Sequence, residues 1–138
     1  MGHSPILQAE LPVTELDRWL NEIMAMTGLE RLEARRAFGA VSRGLASRLP
    51  SSEASLLIDQ MPSAVRQQMG YELEPRRGGR DDLADEVAES CPALTHQQVE
   101  RAIWAVLTLL SHHYSPQWVR HVRVSLPTKI STMWNTAA

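Results

Sequence analysis

The chain has 138 residues, 43% of them hydrophobic, and its 16 acidic and 14 basic residues leave a formal net charge of −2. This length suits a single domain with one core, because units of roughly 60 residues are marginal alone. The near balance of charge argues against a nucleic-acid binder, which normally carries a basic domain or stripe. The single cysteine, Cys91, excludes an intramolecular disulfide and suits a reducing compartment.

No targeting or membrane segment is visible. The N-terminus lacks a basic region followed by an apolar stretch, which is the pattern of a secretory signal. The longest largely apolar run, Ala102 to Leu110, is too short to span a bilayer. We therefore expect a cytoplasmic protein with no membrane association.

The first two predicted helices have clear start and stop signals. Thr14 can cap a helix over residues 14–27, and Gly28 is a suitable stop. A long helix is predicted over residues 30–49, because Pro50 disfavours helical conformation at the residue before it.

Two shorter helices follow. Ser51 or Ser52 is expected to cap a helix over residues 51–60. Pro62 is expected to begin a helix over residues 62–70, since proline is tolerated at a first helical position.

Residues 71–80 form the predicted linker. Gly78-Gly79 indicates a flexible joint. The three arginines of the Arg76 to Arg80 tract are interpreted as part of a solvated hinge rather than as an anion site.

The second half of the chain is predicted to hold four more helices, over residues 81–89, 95–114, 115–124 and 127–134. Their starts carry capping signals, namely Asp81 or Asp82, a capping box of Thr95 with Gln98, and the pair Ser115-Pro116. No segment alternates as a strand would. The predicted fold class is all-α, with about eight helices.

An internal copy organises these helices. The later long helix has an apolar face at Val99, Ile103, Val106, Leu110 and Tyr114, and this face recurs 65 residues earlier at Ala34, Phe38, Val41, Leu45 and Leu49. The same offset relates Met61-Pro62 to Leu126-Pro127. We therefore predict a helical bundle of two pseudo-symmetric four-helix repeats, residues 14–70 and 81–136, that share one core.

The residues of both copies resemble a known family. The pattern EARRAFGAVSRGLASRLPSSEASLLIDQMPSAVRQQM, followed by VERAIWAVLTLLSHHYSPQWVRHVRVSLPTKISTMW, is similar to the bacterial DUF2267 family. An Ala-rich amphipathic helix, a short Ser/Pro-capped helix and a Leu-Pro step carry the resemblance, with Met61 replacing the usual leucine in the first copy. The resemblance covers roughly Leu16 to Trp134. It implies an all-helical, duplicated fold and no established activity.

The two copies differ on one face of the long helix. Trp104 and Leu107 add apolar surface where the earlier helix has the small residues Gly39 and Ser42. A helix that is apolar on two faces is normally buried on both. We expect the Trp104 face to fill the space above Gly39 and Ser42, near the pseudo-twofold axis.

The chain shows no catalytic motif, so we predict a non-enzymatic protein without a cofactor or metal. His112, His113 and His121 lie close in sequence, but neighbouring helical residues point about 100° apart and zinc needs three or four convergent ligands. We interpret them as structural or surface residues, with a pH-sensitive contact as the alternative. Cys91 follows an acidic helix and is interpreted as a passive thiol, because an activated thiolate needs a positive field.

Three tryptophans of the second repeat, Trp104, Trp118 and Trp134, stand where the first repeat has Gly39, Glu53 and Met69. The favoured interpretation is three indoles filling one core. Trp118 is the exception to test, because its counterpart is charged and therefore belongs at a surface. If Trp118 is exposed, it forms a candidate patch with His121 and Val122 for a partner or an apolar ligand.

Three functions stay open. A protein-interaction module, binding another protein or itself through the second repeat, fits the absence of catalytic groups and the uneven distribution of tryptophan. A small-molecule binder would hold its ligand between the repeats, in a pocket lined by Trp104 and Trp118 and edged by His113. A DNA-binding regulator would need a basic recognition helix, and the only support for one is Arg120, His121 and Arg123 in the helix over residues 115–124.

Overall fold

The computed structural model describes residues 13–73 and 82–137, and their regular elements are all helical. The α-helices in chain order are α1 Glu15–Thr27, α2 Arg31–Ser47, α3 Ser51–Asp59, α4 Ser63–Met69, α5 Leu83–Ser90, α6 His96–His113, α7 Pro116–Ser125 and α8 Thr128–Ala137, with a short 3-10 helix, Gly70–Leu73, after α4. The described ranges thus hold eight α-helices and no strand, which confirms the predicted class. Most of the predicted linker, with its glycines and arginines, lies outside these residues.

Local hydrogen bonds start and stop α1 as predicted. The Thr14 hydroxyl accepts a hydrogen bond from the Asp17 backbone N–H at 3.1 Å, and the Thr14 N–H donates to the Asp17 carboxylate at 3.1 Å. Gly28 ends the helix with φ 76°, a left-handed conformation that side chains disfavour and glycine adopts freely. All these contacts lie within four residues, so the sequence alone determines them.

The starts of α6 and α7 also follow the predicted chemistry. Thr95 and Gln98 form the reciprocal capping box, with N···O distances of 2.8 and 3.2 Å. Ser115 accepts a hydrogen bond from the Trp118 N–H, and Pro116 is the first helical residue. Each of these side chains satisfies a backbone N–H that the helix itself leaves unpaired.

The predicted serine cap of α3 is wrong. Pro50 occupies the N-cap position with φ −56° and ψ 153°, no side chain caps the helix, and Ser51 is already helical. Proline fits there because its fixed φ suits the extended cap conformation and its missing N–H is not needed. Pro62 likewise occupies the N-cap position of α4, so this helix begins at Ser63, one residue later than expected.

One hydrophobic core draws on both described ranges of the chain, with α6 at its centre. This helix packs against α1, α2, α5, α7 and α8. Ala102, Ile103 and all of residues 105–110 are buried, so α6 is enclosed on nearly every side. Helix α2 packs against α6 and also contacts α1, α3 and α5.

Small residues on α2 set how closely its neighbours approach. A Cβ atom on Gly44 would overlap Leu83 Cδ1 and lie 3.0 Å from the Glu86 carboxylate, so α5 packs directly against the α2 backbone. At Gly39, a Cβ atom would lie 3.2 Å from Met69 Cε. The close packing of α5 on α2 therefore depends on Gly44.

The predicted position of Trp104 is wrong. The space above Gly39 is filled by Met69 and by the main-chain carbonyl of Glu72. Trp104 is only partly buried, and the Arg101 guanidinium carbon lies 4.3 Å from the centroid of its ring. Arg101 can take this position because residues three apart on a helix share a face.

Candidate functional site

The candidate residues for a partner or ligand are Trp104, His113, Trp118, His121 and Val122, and two of them, Trp118 and Val122, are core residues. Trp118 is 6% exposed and Val122 is fully buried. With Val119 they form the buried face of α7. Val122 follows Val119 by three residues and Trp118 by four, which places all three on one side of the helix. That spacing in the sequence is a signal that predicts burial, and it outweighs the charge of the counterpart Glu53. Because Trp118 is buried, the condition for the candidate patch with His121 and Val122 is not met.

An aromatic cluster holds Trp118 in place. Its ring centroid lies 4.5 Å from that of Tyr114 and 6.3 Å from that of Trp134, and its Nε1 has no hydrogen-bond partner among the described residues. Trp134 Nε1 donates to Ser111 Oγ at 2.6 Å. Trp118 and Trp134 thus confirm the interpretation of indoles packed in the core, while the partly buried Trp104 does not belong to the cluster.

The Tyr114 hydroxyl donates a hydrogen bond to the main-chain carbonyl of Leu57 and so connects the end of α6 to α3. Burial raises the pKa of this phenol, which keeps it protonated as a donor. This bond fixes α3 beside the start of α7.

His121 lies on the surface and binds α3. Its Nε2 lies 2.6 Å from the Glu53 carboxylate, whose other oxygen accepts a hydrogen bond from the Ser52 hydroxyl at 2.7 Å. The Ser52 hydroxyl and then His121 lower the pKa of Glu53. Glu53, which the sequence analysis named only as the counterpart of Trp118, is therefore the partner that positions His121.

The two contacts between α3 and the region of α7 fix their relative direction. Glu53, near the start of α3, meets His121 in the middle of α7, whereas Leu57, later in α3, meets Tyr114 just before α7 begins. These contacts indicate that the two helices run in opposite directions.

Exposed apolar side chains lie on both of these helices. Leu56 on α3 is 43% exposed and Val124 on α7 is 82% exposed. Each follows a bridging residue, Glu53 or His121, by three positions and so lies on the same side of its helix. We call the surface of these six residues the α3–α7 face: Glu53, Leu56 and Asp59 from α3, with Arg120, His121 and Val124 from α7.

His113 lies against α1, in a second histidine site. Its Nε2 is 2.7 Å from the Glu22 carboxylate, and its ring stacks on Trp19 with centroids 4.8 Å apart. The Nδ1 of His112 is 3.8 Å from the other Glu22 oxygen. Within residues 13–73 and 82–137, no group of three or more His, Cys, Asp or Glu residues is placed to hold a metal ion. The geometry instead makes this site a polar contact between α1 and the end of α6.

Cys91 is buried against α2. Burial, and secondarily the negative charge of Glu33, raises the pKa of its thiol to about 11. A thiol with this pKa stays protonated near neutral pH and is a poor nucleophile, which agrees with the predicted passive role.

A small cleft lies where α5, α6 and α8 meet. Its volume is about 50 Å³, and it is bordered by the Lys129–Asp82 ion pair, with an N···O distance of 2.9 Å, and by Met133. No tryptophan lines this cleft, and ligand pockets normally exceed about 300 Å³. The cleft is therefore too small for the ligand pocket expected between the repeats.

Membrane crossing can also be judged for the described part of the chain. None of its helices combines the length and the apolar character that crossing a bilayer requires.

These features define a class of protein, an all-α domain with one core and a surface of paired histidines and carboxylates on its outer helices. A family model described as "Uncharacterized conserved protein (DUF2267)" matches residues 16–133, so the chain belongs to the DUF2267 family. A search of the curated proteins found no match. The family assignment confirms the resemblance seen in the sequence.

Proposed function

We propose that this chain is a non-enzymatic helical protein-interaction module and that the α3–α7 face is its contact surface. The observation that carries the proposal is the exposure of Leu56 and Val124, at 43% and 82%, on two neighbouring helices. Burying one such side chain contributes roughly 1.5–3 kcal/mol. A partner covering this face would gain most of that contribution from Val124 and less from Leu56, which is already more than half covered.

The polar surroundings of these residues support the proposal. Asp59 and Arg120 are exposed, and the Glu53–His121 hydrogen bond lies on the same face. Apolar residues within a polar rim are typical of protein interfaces, where the rim supplies specificity. Because Tyr114 and His121 both hold α3 against its neighbours, the face is preorganised for binding.

The proposal includes two pseudo-symmetric repeats. Adding 65 to the bounds of α2, α3 and α4 gives 96–112, 116–124 and 128–134, close to those of α6, α7 and α8. This agreement supports a duplicated unit. In that arrangement α3 and α7 are counterparts, so each repeat contributes the same element to the face. The proposal places the module in the cytoplasm, which the unpaired Cys91 supports, because free thiols persist in reducing compartments.

The test compares two double variants that each add two positive charges. Leu56→Arg with Val124→Arg changes the α3–α7 face, whereas Leu32→Arg with Val13→Arg changes aliphatic residues of similar exposure elsewhere, at 58% and 59%. Full-length proteins are recovered from the native cell after crosslinking, and bound proteins are quantified by mass spectrometry. Circular dichroism checks that both variants are folded.

We expect the face variant to reduce recovery of a specific partner about tenfold or more, since 1.4 kcal/mol corresponds to a factor of ten. The control variant should retain the recovery of the unmodified protein. Equal recovery by both variants would show that the face is not the contact surface.

A further inference from the structure

We infer that the α3–α7 face binds a second copy of this chain, with α3 of each copy against α7 of the other. This inference rests on the proposed function, because it uses the same face and names its occupant. It follows from the charges of the two helices.

The two helices carry opposite charge. Helix α3 contains Glu53 and Asp59 and no lysine or arginine. Helix α7 contains Arg120 and Arg123 and no acidic residue. Because the Glu53 carboxylate is already bound by Ser52 and His121, the face itself offers Asp59 on α3 and Arg120 on α7, and these opposite charges can meet those of an identical face.

Twofold symmetry allows this pairing. A twofold axis that lies between the two faces and runs along the helices brings α3 of one copy over α7 of the other, and the reverse contact forms by symmetry. Leu56 and Val124 would then be covered in both copies. Pairing α3 with α3 would instead place carboxylates together and arginines together, which is unfavourable.

The size of the face predicts a weak dimer. Helices of 9 and 10 residues present a surface about 15 Å long. This is smaller than a standard interface, which buries roughly 800 Å² on each partner. We therefore expect a reversible dimer with a Kd in the micromolar range or weaker.

The test uses two variants with changed charge. Arg120→Glu with Arg123→Glu makes α7 acidic like α3, and Ser55→Lys with Asp59→Lys makes α3 basic like α7. Sedimentation velocity measures the mass of each full-length protein over about 1–200 µM, a range chosen around a micromolar Kd. The unmodified protein should approach twice the 15.5 kDa of one chain as concentration rises. In about 1 M salt, where the Debye length is about 3 Å, the dimer should weaken.

Each variant alone should stay monomeric, because every α3–α7 contact would join like charges. Their equimolar mixture should restore the dimer, because both contacts then join opposite charges. A monomeric unmodified protein, or a mixture no more dimeric than its components, would overturn the inference.

The Leu56 and Val124 variants separate this failure from that of the proposed function. If the unmodified protein is monomeric while partner recovery still depends on those residues, the face binds a different protein and only the second-copy inference fails. A dimer that persists with both residues changed to arginine uses another surface, which also refutes the inference. If neither dimerisation nor recovery depends on the face, both proposals fail.

Discussion

Tyr114 and Leu57, which are 57 residues apart in the chain, are joined by a hydrogen bond from the tyrosine hydroxyl to the leucine carbonyl. The bond connects the end of the central helix α6 to α3. Leu57 lies in the last turn of α3, where a helix leaves its carbonyls unpaired, and the Tyr114 hydroxyl satisfies this one. This contact positions α3 and therefore the face that we propose for binding.

Replacing Tyr114 with phenylalanine should destabilise the fold by about 1–3 kcal/mol, the penalty for leaving a buried polar group without its partner. The measurement is urea denaturation followed by circular dichroism. Trp134→Phe, which removes the donor to Ser111, provides a comparison with a bond between side chains. A Tyr114→Phe variant as stable as the unmodified protein would mean that water replaces the hydroxyl.

Gly44 and Gly39 should differ in their response to alanine. Gly44→Ala should lower the free energy of unfolding by about 1–2 kcal/mol, because overpacking against Leu83 costs roughly 1–3 and the helix propensity of alanine returns up to about 1. Gly39→Ala meets only the flexible end of Met69, so its change should stay within about 1 kcal/mol. Denaturant titrations of the two variants measure their free energies of unfolding. Equal losses of stability would contradict the packing of α5 on α2.

Trp118 and Trp104 provide a test of which indole belongs to the core. Trp118→Ala should cost about 3–5 kcal/mol, the usual range for removing a buried aromatic side chain. Trp104→Ala should cost less, roughly 1–2 kcal/mol, because its ring is only partly buried and one side is covered by Arg101. Thermal and urea unfolding of both variants measure the difference, and the reverse order would contradict the described packing.

The thiol of Cys91 should be protected in the native protein. Its pKa is raised from 9.0 to about 11, so a disulfide reagent at about pH 8 should react slowly until urea unfolds the chain. The raised pKa also predicts the direction in which the free energy of unfolding changes with pH. The contribution of the neutral thiol is complete below pH 9.0 and is lost as the pH rises towards 11.

Cys91→Ala is the control for this pH dependence. The variant should lose less stability than the unmodified protein between those two pH values, measured by urea denaturation at several pH values. Rapid modification of the folded protein at about pH 8 would show that the thiol is accessible and that its pKa is not raised.

The sequence by itself determined the fold class and most helix starts. The capping boxes at Thr14 and Thr95 and the stop at Gly28 depend on atoms within four residues, so local sequence is sufficient to specify them. The apolar spacing of α6 likewise marked it as a buried helix. The local capping rules were less decisive at the start of α3, where Pro50 precedes Ser51. The rules favoured a serine cap, but Pro50 is the N-cap residue.

The tertiary structure decided which side chains meet. Glu22 and Glu53 pair with His113 and His121 across 91 and 68 residues, and no local pattern connects residues that far apart. It also buried Trp118 and left Leu56 and Val124 exposed. Burial depends on which other helix covers a given face, and that is determined by the packing of the whole chain rather than by the residues of one helix.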